Sequence, residues 1–400
     1  MLAVIRCLDD AGYQVTATGS TRLAPGLWSR ACSERRILPD PSVSVEGFIA
    51  RIYDLLHAGQ IDVLVPGTDA ALYAVSLHRS RLEPYVRIGL ADHEIVEDAL
   101  DKPSLARHAR AAGLAVPDST VCERVEVALE AARALGFPVL VKPVRTVVVS
   151  QGKLLRHASR VARDEHAVRD LHRQFGRCIV QRRETGSVVS FAGVATEQGI
   201  LGAAVSRYRR TWPPEGGSAC FSETIPAPGS LAERVEALVC AIGWRGVFEL
   251  ELIERSDGTM EVIDFNPRPY GSLSLACAAG VPLPSIWCKW LLGERSLVPP
   301  GQRVGARYRW EDSDLRYAAW ELRRGGVRRA ASVLTPQAGV THAYFRSADP
   351  APFAARGLEL ARTSARAVAH TSARAAAARA ASAGVAAGRA AAGHGRGRRA

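Results

Sequence analysis

The stretch Gly246-Val247-Phe248-Glu249-Leu250-Glu251-Leu252-Ile253-Glu254-Arg255-Ser256-Asp257-Gly258-Thr259-Met260-Glu261-Val262-Ile263-Asp264-Phe265-Asn266-Pro267-Arg268 governs the reading of this chain. Two runs that alternate apolar and polar residues flank Asp257-Gly258. That dipeptide suits a two-residue hairpin turn, because both central positions of the turn need positive φ. Such a turn sets Glu249 against Asn266, Leu250 against Phe265, Glu251 against Asp264 and Leu252 against Ile263. Side chains alternate between the two faces of a strand. One face therefore offers Phe248, Leu250, Leu252, Ile263 and Phe265 to a core, and the other gathers Glu249, Glu251, Asp264 and Asn266.

Carboxylates at cross-strand spacing repel one another, and a divalent cation relieves that repulsion. Oxygen ligands in this number suit Mg2+, which takes one or two carboxylates and completes its octahedron with water and phosphate oxygens. A solvated acidic sheet face is the competing reading. Arg268, directly after Asn266-Pro267, favours the metal, since a cation beside it is what a transferring phosphoryl group requires.

Only four of the 52 cationic residues are lysines: Lys102, Lys142, Lys153 and Lys289. Lys102 follows Asp101, a cap for a helix that carries Leu105, Ala109 and Ala112 on one face and ends at Gly113. Lys142 closes the apolar strand Val139-Leu140-Val141. An ammonium at a helix start or a strand end is a phosphate contact in prospect. Arg207, Arg209 and Arg210 precede Trp212-Pro213-Pro214-Glu215-Gly216-Gly217-Ser218 and read equally as anion contacts or as decoration of an edge strand. Arg210 is carried forward with Arg268 as a candidate catalytic cation.

The 400 residues are 47% apolar, with 35 Gly and 22 Pro, which excludes a coiled coil, a collagen and a wholly disordered chain and leaves room for two or three domains. Residues 355–400 hold nine Arg against one Glu, or +8 of the formal +12, so the rest of the chain is only mildly basic. The eight Cys are scattered, with no C-x-x-C pair to close a zinc site, and read as reduced, mostly buried thiols. No apolar run reaches membrane-spanning length and no signal-peptide pattern opens the chain, so a cytoplasmic location is expected.

Strand and helix alternate over the first hundred residues: a helix from Leu2, a strand near Tyr13 to Thr18, a helix near Val45 to His57, a strand Ile61 to Pro66, a helix near Ala70 to His78 and a strand near Val86 to Leu90. The pattern predicts a small parallel sheet that opens inside its first crossover, with its first strand missing. Thr68-Asp69, at a strand end, is a candidate pocket wall. Cys178 to Ile225 reads as antiparallel sheet, Leu231 to Ile242 as a helix, and Ser272 to Ala279 and Ser285 to Leu292 as two more. Trp287 and Trp290 fit either a core or an interface. Beyond 355, Thr-Ser-Ala-Arg-Ala recurs at 363 and 371 in a low-complexity Ala/Arg tail.

In combination, these motifs resemble the ATP-grasp superfamily, within its carbamoyl-phosphate-synthetase-like, carboxylate–amine ligase branch. The resemblance rests on Asp101-Lys102-x-x-Leu105 with Ala112-Gly113-Leu114-Ala115-Val116-Pro117, on Gly136-Phe137-Pro138-Val139-Leu140-Val141-Lys142-Pro143, on Gln181 through Gly186, on Pro213-Pro214-Glu215-Gly216-Gly217, and on Glu251 with Asp264-Phe265-Asn266-Pro267-Arg268. It implies an α/β and α+β chain. Residues 1–98 would form a Rossmann-like pre-ATP-grasp domain, 99–300 an ATP-grasp domain with ATP between two lobes, 301–354 an extension and 355–400 the tail. It also implies an enzyme that phosphorylates a small carboxylate with ATP and couples it to an amine. Lys102, Lys142, Gln181 and Glu184 would contact the nucleotide. Glu251, Asp264 and Asn266 would hold Mg2+ (or Mn2+), and Arg268 would steady the acyl phosphate.

Two departures point to an alternative, a degenerate relative that binds nucleotide without ligation. Arg182 and Ser187 stand where many relatives carry acids, and the loop Val144 to Lys153, which the resemblance implies should be Gly-rich and cover the phosphates, holds a single glycine, Gly152. The expected partners are the two small substrates. A homodimer is left open. Nucleic acid is not expected, because no aromatic residue interleaves the tail's arginines for base stacking.

Overall fold

The computed structural model describes residues 1–150 and 153–363; the Ala/Arg tail from 364 on, and Gly152 of the phosphate loop, lie outside the described residues. Strands are numbered along the chain: β1 (Thr16–Gly19), β2 (Glu34–Ile37), β3 (Val63–Leu64), β4 (Arg87–Ile88), β5 (Ser119–Cys122), β6 (Val139–Pro143), β7 (Val147–Ser150), β8 (Lys153–Arg156), β9 (Arg160–Ala162), β10 (Cys178–Arg182), β11 (Ser187–Thr196), β12 (Gly199–Trp212), β13 (Ser218–Thr224), β14 (Gly246–Glu254), β15 (Met260–Asn266), β16 (Arg307–Arg309) and β17 (Val340–His342).

A seven-stranded sheet in the order β15-β14-β11-β12-β13-β16-β17 forms the larger layer. Its apolar face carries Phe191, Phe248, Leu250, Leu252, Val262 and Phe265, packed on Val235, Leu238, Val239 and Ile242 of the helix Leu231–Ile242. On the opposite face one end is also apolar. Ala192, Val194, Ala204 and Val247 lie there beneath the helices Leu273–Ala278 and Leu283–Leu291. Further along that face the same alternation brings up Ser190, Tyr208, Glu249, Glu251, Asp264 and Asn266 in place of aliphatics. Trp287 and Trp290 are buried in the apolar end, so they are core residues.

The smaller layer is a four-stranded antiparallel sheet, β5-β10-β6-β9. Cys122, Val139, Val141, Cys178 and Val180 point to one side, where the helices Val125–Leu135 and Glu165–Phe175 cover them. Period two then turns Leu140, Lys142, Ile179 and Gln181 to the other side. β7 and β8 pair as a hairpin over the stretch expected to cover phosphates. The helix Lys102–Ala111 joins the layers. Asp101 caps it by accepting from the Ser104 N–H at 3.0 Å, and Gly113, at φ +72°, lets the chain turn away after it.

Three expectations are refined. The single N-terminal parallel sheet is instead two separate parallel pairs, β1-β2 and β3-β4. The segment after 301 adds two strands to the large sheet and buries Tyr308 completely in doing so. A helix over 351–363 runs across the boundary expected at 354/355, with Ala355 buried and Arg356 paired to Asp312. Among the described residues, no helix is long and apolar enough to cross a membrane.

Candidate active site

Glu249 pairs with Asn266, Leu250 with Phe265 and Glu251 with Asp264, as the alternation implies. The turn, however, holds three residues rather than two. Arg255 pairs with Thr259 through its N–H, and Gly258 takes φ +82°. That slips the register by one, so Leu252 faces Val262 and not Ile263. A bulge between these pairs restores it before Asp264. Val262 therefore completes the apolar face, and Ile263 leaves the core. Its freed carbonyl accepts a hydrogen bond from Lys142 Nζ at 3.0 Å.

Glu249 is buried and accepts from Ser190 Oγ (2.7 Å), Tyr208 OH (3.1 Å) and Asn266 Nδ2 (3.0 Å). Glu251 accepts from the same Tyr208 hydroxyl at 2.8 Å. One phenolic proton thus serves two carboxylates. Burial, reinforced by Glu249 and Asp264, pushes the Glu251 carboxyl up to about 8, and burial raises Glu249 as well. Asp264 behaves in the opposite way. Burial acts to raise it, but Lys102 and Lys142 outweigh burial and hold it below the usual carboxylate range.

Lys102 Nζ lies 3.4 Å from Asp264 Oδ1 and donates to Thr146 Oγ1 at 3.1 Å. Lys142 is buried, and desolvation lowers its ammonium to about 8 against the pull of Asp264. Among the described residues no three His, Cys, Asp or Glu side chains close into a ready-made metal cage. Glu249 is spent inside the protein, which leaves Glu251, Asp264 and the Asn266 amide. Two carboxylates with neutral oxygen donors are what Mg2+ takes when phosphate and water complete its shell. Burial holds Glu251 towards its protonated form, and a divalent ion in the proton's place fits the same donor set.

A cleft between the layers is lined by Lys102, Leu105, Val116, Lys142, Gln181 and Ile263. Gln181 is buried there, and its Oε1 has no partner among the described residues. Such an orphan acceptor calls for a donor from a ligand. Glu184 lies outside this lining, 3.7 Å from Arg182 and 4.0 Å from Arg255. Arg182 turns outward to Asp118 at 2.8 Å.

A second cavity adjoins the first and is lined by Asp69, Lys102, Thr146, Arg156, Asp264 and Arg268, among others. Asp69, at the start of the helix Asp69–Leu77, pairs with Arg268 through both carboxylate oxygens. Sequence alone gave no sign of this contact, since the partners stand 199 residues apart. Tyr208 and Ser190 were likewise missed as supports of the acids. Arg210 does not join this group. β12 breaks register between Tyr208 and Arg210, and Arg210 is bound instead by both oxygens of Asp314 at 3.0 and 2.8 Å.

Residues 177–313 match a sequence family described as "ATP-grasp in the biosynthetic pathway with Ter operon". Over this stretch the chain is similar to the ATP-grasp superfamily. Carbamoyl phosphate synthase large chain from Vibrio cholerae is 24% identical over 231 residues, which is 52% of this chain and 20% of that protein. The Rubrobacter xylanophilus large chain is 27% identical over 217 residues, at 50% and 20% coverage. The chain therefore spans about a fifth of the length of these relatives. Among solved structures, the biotin carboxylase domain of Hydrogenobacter thermophilus 2-oxoglutarate carboxylase, in complex with MgADP, ADP and bicarbonate, superposes with a TM-score of 0.59 at 17% identity, covering 76% of this chain and 71% of that one. L-amino acid ligase from Bacillus licheniformis gives 0.57 at 15% identity, with 74% and 71% covered.

Proposed function

We propose that this chain is an ATP- and Mg2+-dependent ligase that activates a small carboxylate as an acyl phosphate and joins it to an amine. The observation that carries the reading is the meeting of Lys102, Lys142, Glu251, Asp264 and Asn266 where the two sheets face each other, beside a cleft with an unpartnered Gln181 acceptor. The MgADP complex of the Hydrogenobacter domain supports it.

In this reading Gln181 Oε1 accepts from the exocyclic amine of adenine, and Leu105, Val116 and Ile263 wall the ring. Glu184 takes the ribose hydroxyls in exchange for its long contacts with arginine. Lys102 and Lys142 neutralise phosphate oxygens, and Glu251, Asp264 and Asn266 would hold Mg2+, which supplies charge neutralisation across the phosphates when bound. Arg268 orients the substrate carboxylate for in-line attack on the γ-phosphoryl group, and ADP leaves. The amine then displaces phosphate from the acyl group. No covalent nucleophile is required, since phosphoryl transfer rests on positioning and charge. Arg210 has no part in this scheme.

A screen of carboxylic acids for stimulated ADP release tests the reading. Release that requires both an acid and Mg2+, and that disappears in Asp264→Ala and Asn266→Ala, is the expected result. Nucleotide binding without release for any acid would instead favour a non-ligating relative.

A further inference from the structure

Arg268 has four of its five N–H donors engaged. Its Nε and Nη2 donate to the two oxygens of Asp69, Nη2 also donates to Asn266 Oδ1 at 3.2 Å, and Nη1 donates to the Pro269 carbonyl at 3.0 Å. With one Nη1 N–H left over, the guanidinium cannot receive both oxygens of a substrate carboxylate without releasing a partner. Asn266 and Pro269 are its chain neighbours and move with it. Asp69 belongs to a different part of the chain and presents a carboxylate in the two-pronged geometry that a substrate carboxylate would reproduce. It is therefore the partner exchanged on binding.

The exchange leaves a problem on the other side. The Asp69 side chain is only 8% exposed, and it is fixed at a helix start whose preceding residue, Thr68, caps the helix through the Ala71 N–H at 3.1 Å. A buried carboxylate stripped of its cation is strongly unfavourable. Arg156 is the nearest other cation, with Nε 3.9 Å from Asp69, but its side chain is 73% exposed and well solvated. It offers little compensation. A plain carboxylic acid would thus satisfy Arg268 and strand Asp69. An acid that also carries an ammonium group satisfies both.

Building on the ligase reading, we infer that Asp69 is an ammonium subsite in the acid-binding cavity, so that the acid phosphorylated by this enzyme is an amino acid. Its carboxylate replaces Asp69 on Arg268, and its ammonium replaces Arg268 on Asp69.

The test measures ADP release by the full chain with Mg-ATP, with hydroxylamine as the acceptor. Each of the twenty protein amino acids is set against the acid that lacks its amino group, such as L-alanine against propionate and L-phenylalanine against 3-phenylpropionate. For the side chain the enzyme accepts, the amino acid is expected to be preferred in kcat/KM by about ten- to a hundredfold, the range of one hydrogen bond between charged groups, with most of the difference in KM. Asp69→Asn should collapse that preference towards unity. The inference is overturned if wild-type enzyme turns over the des-amino acids as well as the amino acids, a result that needs no folded variant. It is also overturned if Asp69→Asn lowers both members of a pair by the same factor, as a purely structural hold on Arg268 would. Absence of stimulation by any acid would remove the ligase reading itself, an outcome distinct from both.

Discussion

Two buried acidic clusters stand on this molecule, and they differ in how their charge is met. Near the C-terminal edge, Asp314 is bound by Arg210 and by Arg309 at 3.1 Å, Asp312 by Arg356 at 2.6 Å, and Glu311 accepts from the backbone N–H groups of Ala343, Tyr344 and Phe345. Burial acts to raise Glu311, yet His342 and those N–H groups hold it low. Each acid there has a fixed donor. At the joint of the two sheets, Glu251 has one hydroxyl, shared with Glu249, and its carboxyl rises to about 8. The contrast teaches that burying acids does not make a site. An acidic cluster becomes one where the chain leaves it short of positive charge.

The largest expected separation between the clusters is in turnover. Asp264→Ala and Asn266→Ala should each reduce acid-stimulated ADP release by about a hundredfold or more, the scale for removing a group that stabilises developing charge. Arg210→Ala should leave turnover per folded molecule within about twofold, because its hydrogen bonds go to Asp314 of the closed cluster. Steady-state assays normalised to folded protein check both. A severe loss in Arg210→Ala would show that the closed cluster also belongs to the catalytic machinery.

Stability should show the reverse. Removing Arg210 takes its two-pronged pairing from the buried Asp314 and leaves that acid with Arg309 alone, so Arg210→Ala should destabilise by about 2 kcal/mol in urea denaturation. A change below about 1 kcal/mol would show that the pair is no better than an exposed one.

The open cluster should also mark the pH dependence. Unfolded Glu251 ionises near 4.5, whereas the folded group does so near 8. Between these values the native state binds the extra proton, so stability falls as pH rises. Lys142 acts in the opposite sense above pH 8, where the unfolded state keeps the proton that the native state has lost up to about 10.5, and stability recovers. Denaturation from pH 5 to 8 should show the fall without ligand and a flatter profile with Mg-ADP. An unchanged slope on adding Mg-ADP would contradict an unmet charge at Glu251.

The smallest effect concerns Tyr208→Phe, which removes the hydroxyl that donates to Glu251. It should reduce kcat by about tenfold or less, as expected for one lost hydrogen bond to a charged group. A null effect would show that the two acids need no bridge.

How much of this could be read from the sequence follows from the distances involved. The facing of Glu251 and Asp264 was readable because alternation is local, and because two errors cancelled. The three-residue turn moved the register one way and the bulge at Ile263 moved it back. Neither leaves a mark in the pattern of apolar residues, so the role of Ile263 as an acceptor for Lys142 stayed hidden. The cap at Asp101 and the helix Leu231–Ile242 were readable for the same local reason. Arg268 with Asp69, and Arg210 with Asp314, join residues 199 and 104 positions apart. Alternating arginines cannot reveal which of them will find a carboxylate.

Calorimetric titration of ATP into the wild-type chain and into Asp264→Asn, with Mg2+ and with a chelator, tests the metal–phosphate joint most directly. Wild-type protein should bind ATP about tenfold or more tightly when Mg2+ is present, with that advantage lost in Asp264→Asn. Equal affinity with and without Mg2+ in the wild type, or an advantage undiminished in the variant, would contradict the assignment of Glu251, Asp264 and Asn266 as the metal's ligands.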